Sequence, residues 1–321
     1  MITFPKVFFA VLLFTLVSCT GGQNSRQFIT GDLVIFHAGS LSVPVKEIAG
    51  AFKKLNPGVN VLLESAGSVE SARKITDLGR KCDILASADY KVIDQMLIPG
   101  HADWNIQFAS NEMCIVFTDR SKFAEVINTG NWCDILAKPD VIYGRADPDS
   151  DPCGYRSVMT LQLSEKYYKK PGFAGRLAAK NLNFMRPKEV DLIALLETRS
   201  VDYIFLYKSV AIQHGLRYLE LPREVNLADP GFANFYSTAS VPINGKEPGQ
   251  KVIMRGEPMI YGVTILRNAP NRTAALAFLE FMLAKDNGMK ILERNGQPSV
   301  IPRQNPRYDQ IPASLKQYAI R

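Results

Sequence analysis

Residues 32–55 read DLVIFHAGSLSVPVKEIAGAFKKL, and this stretch decides the fold class of the chain. The apolar run 32–37 has the length and composition of a buried strand. Ala38-Gly39-Ser40 ends that run, and Pro44 suits the first turn of a helix. Four apolar residues then recur on one helical face: Val45, Ile48, Phe52 and Leu55. The stretch therefore predicts the strand, loop and helix of an α/β protein.

Similar units follow along the rest of the chain. Strands are predicted at 60–63, 83–87, 113–117, 141–144, 202–207 and 260–266. Helices are predicted through Ile75 and Leu78, from about Asp89, after Asp151-Pro152, at 189–198 and within 271–294. This alternation indicates mainly parallel sheets. We expect two doubly wound lobes joined by two crossing strands, with lobe I at 31–115 and 262–321 and lobe II at 116–261.

The N-terminus has the features of an export signal. Lys6 precedes an apolar run, 7–17, that is too short to span a bilayer. Leu16-Val17-Ser18-Cys19 resembles the lipobox of bacterial lipoproteins, in which the cysteine is acylated after cleavage. We predict a signal peptide at 1–18 and a lipidated tether at 19–30, beginning at Cys19. The alternative is an ordinary signal peptide with a chance cysteine.

Composition limits the class of partner. The chain has 321 residues, a formal net charge of +7 and 46% hydrophobic residues, which is ordinary for a globular protein. Scattered basic residues, no DNA-binding motif and the export signal argue against nucleic acid. Cys82, Cys114, Cys133 and Cys153 are too widely spaced for a zinc ribbon or a CxxC pair, and their pairing stays open.

One local arrangement, a loop between a strand and a helix start, recurs and indicates anion binding. Gly39-Ser40, Ser68 and Asp151-Pro152-Cys153 each lie between a predicted strand and a helix start. A helix N-terminus offers unpaired backbone N–H groups and a partial positive charge. Each residue could equally be an N-cap. In a doubly wound sheet, however, such loops converge at the carboxyl ends of the strands, where ligands bind.

Several stretches resemble the tungstate- and molybdate-binding proteins of ABC importers, in the archaeal-type WtpA/ModA branch. They are VIFHAGSLSVPVKEI from residue 34, ESAGSVESARKITDLGRKCDILASADY from residue 64, DPDSDPCGYRSVMTLQL from residue 147 and DLIALLETRSVDYIFLYKSVAIQHG from residue 191. IYGVTILRNAPNR, from residue 260, is a weaker match. The family resemblance implies a bacterial solute-binding lipoprotein with the type II periplasmic-binding-protein fold, which closes over an oxyanion between its lobes.

The same resemblance implies residue roles. The first-lobe donors correspond to Gly39, Ser40 and Ser68, and the anion-binding tyrosine corresponds to Tyr207. Two carboxylates, Asp151 and Glu189, would complete six-coordination of the metal together with four oxo groups. Asp191 and Glu197 are the alternatives to Glu189. The cargo would be molybdate or tungstate, no further cofactor is expected, and an ABC transporter permease would receive the cargo.

The placement of two carboxylates next to a dianion requires a physical explanation, because like charges repel. Hexavalent molybdenum or tungsten is a hard centre that prefers oxygen ligands and can expand its coordination. Sulfur in sulfate cannot do so. The same two carboxylates would therefore attract the metal centre and repel sulfate.

Two other functions remain alternatives. One is a binding protein for sulfate, thiosulfate or phosphate, and the other is a secreted phosphoryl or oxyanion-ester enzyme on a similar scaffold. We expect no catalysis, because neither a nucleophile constellation nor a metal-binding histidine cluster is visible. His37 is interpreted as a packed, hydrogen-bonded residue, and Arg156 as stabilising a second-lobe loop or touching the anion. We expect an exported, membrane-anchored monomer.

Overall fold

The structure, a computed structural model, describes residues 1–2, 28–245 and 249–321. The predicted lipidation site Cys19 and all but the first two residues of the predicted signal peptide lie outside the described residues. Two five-stranded sheets, each flanked by helices, form the body of the protein.

Within these residues the strands, in chain order, are β1 Gly31–His37, β2 Val59–Ser65, β3 Ile84–Ser87, β4 Ile106–Ser110, β5 Met113–Phe117, β6 Tyr143–Ala146, β7 Met185–Arg186, β8 Tyr203–Tyr207, β9 Arg217–Glu220, β10 Ser240–Asn244, β11 Lys251–Arg255, β12 Ile260–Ile265, β13 Arg303–Gln304 and β14 Ala319–Ile320. The α-helices are α1 Ser42–Leu55, α2 Ser68–Thr76, α3 Tyr90–Val92, α4 Trp132–Ala137, α5 Pro152–Tyr167, α6 Phe173–Ala178, α7 Leu192–Glu197, α8 Lys208–Gln213, α9 Ala233–Tyr236, α10 Arg272–Leu283 and α11 Lys290–Arg294. Short 3-10 or π-helical turns adjoin several of them, including Gly39–Leu41, Ile93–Leu97, Glu189–Asp191 and Lys285–Met289.

The first sheet has the strand order β2-β1-β3-β12-β4. Strand β1 pairs in parallel with β2 and β3, whereas β12 is antiparallel to both β3 and β4. The second sheet has the order β7-β6-β8-β5-β9 and repeats this arrangement, since β5 is antiparallel to β8 and β9. Each sheet is thus wound in both directions from one parallel strand, β1 in the first sheet and β6 in the second, as the sequence predicted.

The expectation of mainly parallel sheets is corrected to mixed sheets, and the crossing strands give the reason. The chain passes from β4 in the first sheet to β5 in the second, and β12 brings it back. A strand that enters from the other lobe runs opposite to the strands wound within that lobe. The predicted boundaries at 115/116 and 261/262 fall inside β5 and β12. We propose that the chain changes lobe at 111–112 and 256–259.

Most of the apolar runs form strands, as predicted, but two apolar residues of the predicted helices are exposed. Val45, Ile48 and Phe52 are buried on α1, whereas Leu55 is 69% exposed at its end. Leu78 lies beyond the end of α2 and is 71% exposed. Leu55 is the last residue of α1, and the helix predicted through Leu78 ends at Thr76, so helical periodicity overestimated the buried face at both helix ends.

The cysteines whose pairing the sequence left open are buried free thiols: Cys82, Cys114, Cys133 and Cys153. Burial raises the pKa of Cys82 and of Cys133 to about 12. In the described ranges, no helix is both long and apolar enough to cross a membrane.

Candidate functional site

Three loops bring the predicted anion-binding residues to the carboxyl ends of strands. Gly39 and Ser40 form a 3-10 turn directly after β1, and Ser68 begins α2 after β2. Asp151 is the N-cap residue of α5, after β6 of the second sheet. The first two loops belong to one lobe and the third to the other. The backbone N–H of Glu70 in α2 donates to the carbonyl of Ser150 at 3.1 Å, so these helix starts meet between the lobes.

Asp151 and Glu189 are fully buried carboxyl groups of the second lobe, 1% and 0% exposed. Asp151 Oδ1 accepts from the backbone N–H of Cys153 at 2.7 Å. Burial, and then the charge of the neighbouring Glu189 carboxylate, raise the pKa of Asp151. Neither oxygen of Glu189 has a hydrogen-bond partner among the described residues. A buried carboxylate without partners costs stability, so Glu189 calls for a functional explanation.

The Glu189 carboxylate lies directly against the first lobe. A Cβ atom placed on Gly39 would lie 2.5 Å from Glu189 Oε2 and 2.9 Å from its Oε1. Such distances are far below ordinary van der Waals contact. Glycine at position 39 therefore allows the backbone of one lobe to approach the carboxylate of the other. The structure thus places a predicted first-lobe donor, Gly39, beside a predicted carboxylate ligand, Glu189.

The two serine hydroxyls are oriented by neighbouring donors. Ser40 Oγ accepts from the Tyr261 hydroxyl at 2.8 Å, and that hydroxyl accepts from Asn111 Nδ2 at 2.8 Å. Ser68 Oγ accepts from the backbone N–H of Ala88 at 3.0 Å. A hydroxyl that already accepts from the protein keeps its own hydrogen to donate. Both serines are fully buried, so these donors are preorganised for an anion.

Tyr207 and Arg156 form a buried pair beside the carboxylates. Arg156 Nη1 donates to the Tyr207 hydroxyl at 3.0 Å and to the Ala88 carbonyl at 2.8 Å. Burial raises the pKa of Tyr207 well above its usual range, so the hydroxyl remains protonated and can donate. The sequence left two roles open for Arg156. Its guanidinium bonds Tyr207 in its own lobe and Ala88 and Asp89 in the other.

Pro152 and Cys153 form the first turn of α5 and are buried. The Cys153 N–H donates to Asp151, as described, and its thiol faces the Phe205 carbonyl with Sγ at 3.8 Å. In this arrangement the Cys153 N–H orients the Asp151 carboxylate.

The alternatives to Glu189 lie at the surface. Asp191 is exposed and pairs with Lys188 at 3.3 Å, and Glu197 is exposed at the end of α7. Only Glu189, of these three acidic residues, is buried against the first-lobe loop. The structure therefore favours Glu189.

His37 is placed as its packed interpretation predicted. It ends β1, is 2% exposed, and its Nδ1 lies 2.9 Å from the Ala38 carbonyl. Burial, together with the charge of Lys188, lowers the pKa of its imidazole despite the hydrogen bond to Ala38.

Sequence reasoning missed four residues around these groups: Asp89, Asn111, Tyr155 and Tyr261. Asp89 follows β3 at the same end of the sheet as Ser40 and Ser68, and this position was a usable signal. Tyr155 stands four residues after Asp151 on one face of α5. Asn111 and Tyr261 reach Ser40 only through the crossing segments, which sequence spacing does not reveal.

Comparison with known proteins decides the family. The family model described as a bacterial extracellular solute-binding protein matches residues 33–297. The chain belongs to this family. It is also 49% identical over 302 residues to an uncharacterized solute-binding protein of Petrotoga mobilis, which covers 93% of each chain.

Two further similarities of this solute-binding protein bear on its ligand and its fold. The chain is 40% identical over 326 residues to the molybdate/tungstate-binding protein WtpA of Pyrococcus abyssi, covering 92% of this chain and 93% of that one. The periplasmic molybdate-binding protein of Azotobacter vinelandii superposes with a TM-score of 0.60 at 16% identity, covering 84% of this chain and 99% of that one. The second similarity shows the fold, which is that of the periplasmic binding proteins.

Proposed function

We propose that this solute-binding protein captures molybdate or tungstate between its two lobes outside the cytoplasm and delivers the anion to an ABC transporter permease. One observation carries the proposal. The Glu189 carboxylate is fully buried without a hydrogen-bond partner in the described chain, beside Asp151 and against Gly39 of the other lobe. The relative named as a molybdate/tungstate-binding protein supports the same cargo.

The residues present suit such a cargo. Hydroxyl hydrogens of Ser40, Ser68 and Tyr207 would bind oxo groups. Asp151 and Glu189 would donate carboxylate oxygens to the hexavalent metal centre, which prefers hard oxygen ligands. Coordination would remove the cost of burying these carboxylates, so closing the lobes would be favourable only around a suitable cargo.

Sulfate and phosphate are the rival cargoes, and the same pair of carboxylates argues against them. Carboxylate oxygens at the centre of the site repel the oxygens of a dianion whose central atom accepts no further ligand. Thiosulfate falls under the same argument. We propose a role in binding and transport rather than catalysis. The buried polar groups of this site donate hydrogen bonds or orient neighbouring side chains.

Calorimetric titration of the purified mature domain with tungstate, molybdate, sulfate and phosphate tests this proposal. We expect tight one-to-one binding of tungstate or molybdate, and at least about a thousandfold weaker binding of sulfate, equivalent to about 4 kcal/mol. Tight sulfate or phosphate binding without a tungstate signal would contradict the proposed cargo. Release of phosphate from aryl phosphates by the pure protein would favour the enzyme alternative.

We further propose that Cys19 carries a lipid anchor and that the mature protein is a monomer. The lipobox-like sequence before Cys19 supports the anchor. Labelling cells with radioactive palmitate tests it, because the wild-type protein should take up the label and a Cys19→Ala variant should not. An unlabelled wild-type protein would indicate an ordinary signal peptide.

A further inference from the structure

A buried cluster of charged and polar groups joins the lobes beside the proposed cargo site. Asp89 follows β3 in the first lobe, and Tyr155 and Arg156 lie on the first turns of α5 in the second. The Tyr155 hydroxyl donates to Asp89 Oδ2 at 2.6 Å, and Arg156 Nη2 lies 3.2 Å from the same oxygen. The three residues are 1–3% exposed. The cluster is therefore sealed from water in this arrangement.

The first lobe holds Asp89 so that Oδ2 faces the second lobe. Its other oxygen, Oδ1, accepts from the backbone N–H of Lys91 at 2.9 Å. Its backbone is also fixed, because the Asp89 N–H donates to Ser87 Oγ at 3.1 Å and the Ser87 hydroxyl donates to the Asp89 carbonyl at 2.6 Å. The carboxylate is thus an acceptor of fixed position.

The cluster also touches the residues proposed to bind the cargo. Arg156 bonds Tyr207 within its own lobe and the Ala88 carbonyl across the lobes. Ala88 in turn donates its N–H to Ser68 Oγ. Every hydrogen bond that Asp89 Oδ2 and the Ala88 carbonyl accept here crosses between the lobes, so separating the lobes breaks them together.

We propose that Asp89, Tyr155 and Arg156 form an interlobe latch that slows release of the bound oxyanion without contacting it. The proposal rests on the proposed function. Hydrogen bonds to charged groups are the strong ones, and here they exist only while the lobes are together. Such contacts stabilise the cargo-bound state after the cargo has entered, so they act on the dissociation rate rather than on association.

The latch differs from a nearby ion pair between the first lobe and the crossing segment 256–259. Lys91 pairs with Glu257 at 2.8 Å, but both side chains are about a quarter exposed. Exposed pairs contribute little because water competes with them. Asp89 is buried, so water does not compete for its hydrogen bonds. It is therefore the residue whose change should alter release most.

A release experiment on the mature protein tests the latch. Protein loaded with radiolabelled molybdate is chased with excess unlabelled molybdate and filtered at intervals, while association is followed by rapid mixing. The variants are Asp89→Asn and Tyr155→Phe, with Asp103→Asn as control. Asp103 pairs with Arg267 within the first lobe, and both are about 45% exposed.

We expect Asp89→Asn and Tyr155→Phe each to release molybdate at least about tenfold faster, with association changed less than about twofold. Asp103→Asn should behave as wild type. A merely structural role would lower the melting temperature without this separation of rates. Release at the wild-type rate from both latch variants would overturn the latch. Tyr155→Phe removes one oxygen only, so it remains informative if Asp89→Asn folds poorly.

The same comparison separates the latch from the proposed cargo. If the wild-type protein binds sulfate but neither molybdate nor tungstate, the cargo proposal fails. Faster release of labelled sulfate from Asp89→Asn would then still support the latch. If molybdate binds tightly and both latch variants release it as the wild type does, the cargo stands and the latch fails.

Discussion

Glu189 is a buried carboxylate whose oxygens find no hydrogen-bond donor among the described residues, and it lies beside a second buried carboxyl, Asp151. Such a residue lowers the stability of the ligand-free fold, because its charge has left water without compensation. A residue kept for packing would not need a charge. The arrangement is instead that of a ligand awaiting a hard metal centre.

Glu189→Gln should therefore separate binding from stability. We expect tungstate affinity to fall by more than the roughly 10- to 100-fold typical of residues that only orient metal ligands. The ligand-free free energy of unfolding should stay unchanged or rise, because the variant removes a buried charge. Calorimetry and urea unfolding measure the two quantities. Glu197→Gln, at an exposed position, is the matched control; equal binding by both variants would exclude Glu189 as a ligand.

Among single residues, the sequence indicated candidates within the quoted motifs. It missed the residues that reach the site through contacts distant in sequence. Gly39, Ser68 and Asp151 stand at strand-to-helix loops that periodicity and composition reveal. Asp89 and Tyr261 reach their partners across the lobes or along a crossing strand, at sequence separations of 66 and 221 residues. No local pattern encodes such a contact, because it depends on how the two lobes meet.

Helix α5 is the element on which both proposals depend, because Asp151 is its N-cap residue and the two second-lobe latch residues lie in its first turns. Its start packs tightly on the preceding loop. A Cβ atom on Gly154 would lie 2.4 Å from the carbonyl carbon of Asp147 and 2.5 Å from Pro148 N. These are backbone atoms, so they cannot move aside as a flexible side chain would. The position of the helix start depends on this contact.

Gly154→Ala should displace the first turn of α5 and weaken both folding and binding. We expect a loss of about 1–3 kcal/mol in the free energy of unfolding, as for other overpacked sites, and weaker tungstate binding. Gly175→Ala is the control, because a Cβ atom added there, in α6, would meet nothing within 4 Å beyond its own helix and chain neighbours. That change should be neutral or slightly stabilising. Urea unfolding and calorimetry on both variants decide, and equal stability would contradict the close packing.

Strand β1 ends in His37, and the burial of this imidazole predicts that the free energy of unfolding depends on pH. Burial lowers the pKa of the folded imidazole, with a further lowering from Lys188. The unfolded histidine, with a pKa of about 6.5, then binds a proton more readily than the folded one. The stability that His37 contributes is therefore present above about pH 6.5 and is lost as the pH falls towards its folded pKa.

Urea unfolding from about pH 8 to about pH 5 measures this effect, and His37→Gln should lose less stability over that interval than wild type. The slope due to one histidine should not exceed about 1.4 kcal/mol per pH unit. His214→Gln, at an exposed position on the second lobe, should retain the steeper dependence of the wild type. Parallel curves for wild type and His37→Gln would show that the imidazole does not respond as its burial requires.

Elements with continuous apolar runs were the predictable ones. The strand predicted at 113–117 has the bounds of β5, Met113–Phe117, and all five residues are buried. The hairpin of β10 and β11 was missed, because alternate residues face solvent and several are polar. The helix predicted at 189–198 divides into the 3-10 turn Glu189–Asp191 and α7. Periodicity alone cannot place that division, which sets the Glu189 carboxylate against the other lobe.

For the whole molecule, the order of elements predicted two lobes, but it could not predict strand direction within each sheet. Direction depends on which strands enter from the other lobe. Strands β5 and β12 do so, and each is antiparallel to both of its neighbours. The two crossing segments are therefore the covalent joints about which we expect the lobes to move. Asn111, at the first joint, donates to Tyr261 and to Ser209 Oγ, so this joint is bonded to the residue that orients Ser40.

If the lobes move, the hydrogen-exchange rates of individual backbone amides should show it. The Glu70 N–H donates across the lobes to the Ser150 carbonyl at 3.1 Å, whereas the next amide, Ser71, donates to Gly67 at 2.8 Å within its own helix start. If cargo closes the lobes, Glu70 should exchange its hydrogen with solvent at least about tenfold more slowly with saturating tungstate than without it. Ser71 should change much less, because its acceptor moves with it. Amide-resolved hydrogen exchange by NMR measures both. Equal protection of Glu70 with and without tungstate would mean that the lobes remain together without cargo, and closure could then not account for selectivity.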